Sequence, residues 1–147
     1  GAIMSRRHTG HFRAKHPADT TIDPAVMESV ASKIQHQKIA CRTAFKIADD
    51  LSVPVSKVGI AIDLLEARII ACQLGLFGYA KGNKLVDEPI HVDDGLKSVI
   101  EASLGEGRLA CADVWKIADT ENIRRLDVAR ACECLGIRIA QCQLGAF

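Results

Sequence analysis

Apolar residues recur along this chain at helical spacing, and the same arrangement is written twice. Val26, Val30 and Ile34 lie four apart, which puts them on one face of a helix running from the Asp23-Pro24 cap to near Gln37. Lys38-Ile39-Ala40-Cys41 is too short to be a helix and reads as a strand. Residues 43–51 return to the helical period, with Ala44, Ile47, Ala48 and Leu51 expected inward. Pro54 disfavours helix at Val53, so residues 52–55 read as a turn. Ser56 then caps a third helix to about Arg68, with Val58, Ala61, Ile62, Leu65 and Ile69 on its apolar stripe. Beyond it the pattern predicts a strand over 70–77, a turn over 78–83 and a returning strand over 84–92.

Residues 39–77 and 109–147 align at a constant offset of 70 without a gap, and 16 of the 39 positions are identical. Upstream, Leu96, Ile100 and Leu104 answer Val26, Val30 and Ile34. Two copies are too few for a solenoid, so the duplication predicts two small domains in tandem. The expected organisation is a basic, disordered tail over 1–21, a first unit over 22–92 and a second over 92–147. The expected fold class is mainly α with small antiparallel β-sheets, that is α+β.

The order helix, strand, helix, helix, strand, turn, strand resembles the winged helix-turn-helix superfamily, and KIADDLSVPVSKVGIAIDLL carries the resemblance. Ala48 supplies the small residue of the first helix, Val53 the apolar residue after the turn, and Val58 and Leu65 the apolar positions of the second helix. In the other copy Ala118, Ile123, Val128 and Leu135 take the same places, with Asn122 at the turn, a residue that tolerates left-handed backbone. The second copy stops at Phe147, without a complete wing. RIAQCQLGAF would then present an open strand edge, which ARIIACQLGLF of the other copy, a homodimer or a protein partner could cover.

The resemblance implies a small DNA-binding transcriptional regulator, because in helix-turn-helix proteins the head of the third helix reaches base edges. In the first copy only Ser56 and Lys57 can donate side-chain hydrogen bonds there. The opposite face, Ile60, Leu64 and Ala67, is a second apolar stripe and supports the alternative, a protein-interaction scaffold. The second copy places Arg124, Arg125 and Arg130 where the first has Pro54, Val55 and Ile60. Arginines at a helix head suit guanine edges or phosphates, so double-stranded DNA is the expected partner of the second copy. Arg6, Arg7 and Arg13 in the tail add basic contacts.

Charge sharpens this only a little. The net charge of +1 over 147 residues lacks the strong basic balance of a dedicated nucleic-acid domain. No apolar run is long enough for a membrane span, and the cytoplasm is the expected location. Cys41 and Cys72 recur as Cys111 and Cys142, whereas Cys132 and Cys134 align with Ile62 and Leu64 and read as small apolar fillers. The recurring four read as buried structural cysteines, with metal binding or redox sensing as the alternative; Cys41, at a helix head, is where a dipole would lower a thiol pKa. His8, His11, His16, His36 and His91 fall in the tail or in loops, where a solvated role is expected. No nucleophile-and-base pair or phosphate-binding glycine loop accompanies them, so neither an enzyme nor a cofactor is expected.

Overall fold

The computed structural model describes residues 12–79 and 84–147; Arg6, Arg7, His8 and His11 lie outside them. Helices and short strands alternate: α1 (Pro24–Lys33), β1 (Lys38–Ala40), α2 (Cys41–Leu51), α3 (Val55–Leu64) and β2 (Arg68–Ile70), then α4 (Asp94–Ala102), β3 (Arg108–Ala110), α5 (Cys111–Glu121), α6 (Arg125–Cys134) and β4 (Arg138–Ala140). The chain divides between Ile70 and Ala71 into two compact units. The expected division lay near residue 92; residues 71–92 instead belong to the second unit.

In the first unit α1, α2 and α3 pack on one another. Asp23 caps α1 by accepting from the Ala25 amide at 2.8 Å, with Pro24 at the first helical position. α1 ends at Lys33, short of Gln37, because His36 and Gln37 both adopt positive φ. That pair makes a tight turn in which the Gln35 amide donates to the Lys38 carbonyl and the Lys38 amide to the Gln35 carbonyl. The chain passes from β1 into α2 without a linker.

The α2–α3 turn follows the sequence in both copies. Ser52 and Asn122 end their helices at φ 53° and 56°, and Val53 and Ile123 donate back to the carbonyls of Ala48 and Ala118, each at 3.0 Å. This left-handed cap with a six-residue return bond satisfies carbonyls that a helix end otherwise orphans. A second such cap, formed by Glu66 or Gly136 at positive φ, ends α3 at Leu64 rather than near Arg68.

Four expectations about β-structure are corrected. β1 pairs with β2, and β3 with β4, in parallel and not antiparallel register. One crossover through two helices returns the chain in the same direction, which parallel pairing requires. Residues 71–77 are not strand: Ala71 turns at φ 51°, and Cys72 donates to Phe77 across a closed loop. Residues 84–92 do not return as a strand either; Leu85–Asp87 form a 3-10 turn packed on α6. The second copy's RIAQCQLGAF is likewise not one long open edge. β4 pairs with β3, and the Cys142 amide donates to the Phe147 carbonyl in a loop like that of Cys72.

The second unit encloses a core of Leu74, Val86, Ile100, Leu109, Val114, Val128 and Cys132. In the first, Val30, Ala44, Val58, Ala61 and Ile62 are buried, while Leu51, expected inward, is 37% exposed. Gly75 sits at φ 76°, and a Cβ there would lie 2.5 Å from Leu126 Cδ1 and 3.0 Å from Leu85 Cβ. Its counterpart Gly145 has φ 80° but open space around it. Gly145→Ala should therefore cost only the left-handed penalty of about 1–2 kcal/mol. Gly75→Ala should cost about 1–3 kcal/mol more, through overpacking. Equal urea midpoints for the two variants would contradict this packing.

Candidate nucleic-acid interface

The head of α6 brings together Arg124 and Arg125, but each already has a local partner. Arg124 binds Asp127 through two guanidinium nitrogens at 2.9 and 3.0 Å, with 70% of its side chain exposed. This contact raises the Arg124 pKa and holds the Asp127 carboxyl below the usual carboxylate range, the Arg124 hydrogen bond being the largest cause in both. Arg125 stacks its guanidinium 3.4 Å from the centre of the Trp115 ring and donates to Gln73 Oε1 at 2.8 Å. Neither Trp115 nor Gln73 stands out in the sequence as a partner of this helix head. Their separation from Arg125 along the chain hides the arrangement until the fold closes it.

Arg130 is placed elsewhere. It is 8% exposed; its Nε donates to the Leu85 carbonyl at 3.1 Å and one terminal nitrogen reaches Glu88 Oε2, also at 3.1 Å. Asp127 stands 3.6 Å from its other nitrogen. These bonds fasten the 3-10 turn to α6, so the guanidinium faces the unit and not a groove of DNA.

In the first unit Ser56 and Lys57 are exposed at the head of α3. The outer stripe of α3 is not an open surface: Leu64 and Ala67 are buried and Ile60 is half-buried. A 3-10 turn at Phe12–Lys15 packs along this helix, so the tail is ordered from Phe12 onward. Glu66 accepts from the amides of Phe12 and Arg13 at 3.1 and 2.8 Å, as a carboxylate does at a helix start. Buried Asp63 takes Lys15 at 3.1 Å and His16 at 2.8 Å on one oxygen. His16 is thus a structural partner and not a solvated residue. Arg13 spends its backbone amide on Glu66, and its Nη1 lies 3.5 Å from the Leu64 carbonyl.

The cysteines divide by burial. In the second unit Cys72, Cys111 and Cys132 are buried and Cys142 half-buried, whereas Cys134 is exposed and so is no core filler. Cys111 opens α5, as Cys41 opens α2, yet its pKa is raised. Burial outweighs the Gln143 donors, one of which lies 3.5 Å from the sulfur. Burial likewise raises Cys72 against the amides of Leu76, Leu74 and Phe77, and pushes Cys132 up to about 11. Among the described residues no three Cys, His, Asp or Glu side chains form a set that could hold a metal ion.

Two predictions follow from this geometry. Arg130→Ala should destabilise the protein by about 2–3 kcal/mol, since it removes a buried guanidinium that bonds Leu85 and Glu88 together, whereas Glu88→Gln at the exposed end should cost about 0–1 kcal/mol. Similar losses in chemical denaturation would contradict the clasp. The raised Cys132 pKa favours the neutral thiol in the folded state. Its stabilisation is complete below pH 9 and is lost as pH rises towards 11, on the order of 2 kcal/mol. Cys132→Ala should flatten that part of the stability profile; an unchanged slope between pH 9 and 11 would contradict the burial effect.

No family model matches the chain, and neither a curated protein nor a solved structure matches it. Among the described residues no helix is long and apolar enough to cross a membrane.

Proposed function

We propose that the protein is a small DNA-binding regulator whose second unit meets duplex DNA with the head of α6. The observation that carries this reading is Arg124, which stands 70% exposed at the start of a helix that follows a left-handed helix–turn–helix corner. Asp127 fixes the guanidinium plane, and a fixed plane is what bidentate contact with guanine or phosphate needs. Ser56 and Lys57, exposed at the matching head of α3, supply a weaker second contact. Arg125 and Arg130 hold the fold, so the site has fewer free cations than the sequence offers. We read each unit as a relative of the winged helices in which a direct β1–β2 or β3–β4 pair stands where a wing would pack. The scaffold alternative needs an open stripe on α3, and burial of Leu64 and Ala67 removes its support.

Arg124→Ala, which touches nothing buried, should weaken duplex binding about tenfold and reduce the steepness of its salt dependence by about one phosphate contact. Stability should change by less than about 1 kcal/mol, because the broken ion pair is exposed. Parent-like affinity in this variant, or a parent chain that binds no duplex at low salt, would overturn the reading.

A further inference from the structure

Arg124 caps α6, and Asp127 and Arg130 follow it at three-residue intervals, a spacing that makes them neighbours along one edge of the helix. Exposure falls along that edge. The Arg124 side chain is 70% exposed, that of Asp127 26% and that of Arg130 10%. An exposed ion pair contributes little when both of its side chains must be ordered to form it. The Arg124–Asp127 pair avoids part of that cost because Asp127 has a neighbour that is already fixed.

That neighbour is Arg130, whose three guanidinium nitrogens have three separate partners. Nε donates to the Leu85 carbonyl, Nη2 donates to Glu88 Oε2, and Nη1 stands 3.6 Å from Asp127 Oδ1. A planar fork bonded through two of its nitrogens cannot turn freely, so the third is held in place. Asp127 thus lies between two cations: Arg124 bonds both of its oxygens, and Arg130 stands beyond Oδ1. Both cations hold its carboxyl below the usual range, Arg124 most strongly and Arg130 after it. The first unit has Pro54, Lys57 and Ile60 at the matching positions, so this alternation of charges belongs to the second unit alone.

We propose that Arg130 is a positioning residue for Arg124, acting through Asp127, so that docking of the Leu85–Asp87 turn on α6 also sets how the exposed guanidinium is presented. Leu85 and Glu88 hold Arg130, Arg130 holds Asp127, and Asp127 holds Arg124. The proposal rests on the DNA reading for what Arg124 contacts, while the positioning is a property of the free chain. A guanidinium ordered before binding gives up less rotamer freedom when it meets a duplex.

The test compares the full chain with Asp127→Asn, Arg130→Met, Arg124→Ala and the double variant Arg124→Ala/Arg130→Met. Without DNA, the Arg124 Nε proton should be protected from solvent exchange in the parent, and Asp127→Asn and Arg130→Met should each lose that protection. On a fluorescent mixed-sequence duplex at low salt, Arg130→Met should bind about three- to tenfold more weakly than the parent. In the Arg124→Ala background the same substitution should change binding by less than about twofold, because the residue it positions is gone. An Arg130 that only supports the fold would weaken both backgrounds equally; that result overturns the proposal and leaves the DNA reading intact. Parent-like protection of the Arg124 proton in folded Arg130→Met overturns it as well. Should Arg130→Met not fold, Arg130→Lys takes its place with the same outcomes, since one ammonium cannot bond Leu85 and hold Asp127 at once. A parent that binds no duplex removes the DNA reading, and the proton comparison alone then upholds or overturns the positioning.

Discussion

The last helix of each unit has no solvent face along its middle, and the rest of the unit is arranged around that fact. In α6 every residue from Val128 to Cys132 is buried, and in α3 Val58, Gly59 and the four residues from Ala61 to Leu64 are buried. A helix that repeats every 3.6 residues cannot bury five in succession against one neighbour. The preceding helix covers one side. On another side lies chain that precedes the unit's first helix, Phe12–Lys15 on α3 and Leu85–Asp87 on α6.

Those covering turns are short and offer little apolar area, so charge secures them. The two copies do this with opposite polarity. On α3 the helix supplies Asp63 and the cap that ends it supplies Glu66, while the covering turn supplies Lys15, His16 and the amides of Phe12 and Arg13. On α6 the helix supplies the cation, Arg130, and the covering turn supplies the Leu85 carbonyl and Glu88. A buried charge whose partner is removed is far more damaging than an exposed pair that is broken, and so each covering turn is held to its own helix. The clasp also accounts for Glu66 at φ 57°, where the second copy has Gly136. The strained backbone carries the carboxylate that caps Phe12 and Arg13, and glycine would carry none.

The same burial decides the chemistry that remains available. Desolvation outweighs the hydrogen bonds to Cys72, Cys111 and Cys132 and raises all three pKa values, so these thiols stay neutral and act as apolar filling. Arg130 and Arg125 are drawn into the fold by Leu85, Glu88, Gln73 and Trp115. What stays exposed at the helix heads is Arg124 on α6 and Ser56 with Lys57 on α3.

The periodicity of Val26, Val30 and Ile34, the small residues Ala48 and Ala118, and Asn122 at the corner determined the order of helices and the turn between α2 and α3, and likewise between α5 and α6. These features are local, since a helix, its cap and a left-handed corner depend on residues within one or two turns of each other. The repeated order of elements was legible for the same reason, as a repeated local pattern. The strand direction was not, because a three-residue strand carries no signature of parallel or antiparallel pairing. The roles of Arg130, Arg125 and His16 were not either. Their partners lie 45, 52 and 47 residues away, and only the closed fold brings Leu85, Gln73 and Asp63 within bonding distance. Read along the chain, an arginine at a helix head is a free cation. Tertiary structure alone decided which of these arginines stayed free, because burial and a distant carbonyl, amide or ring fix where a guanidinium points.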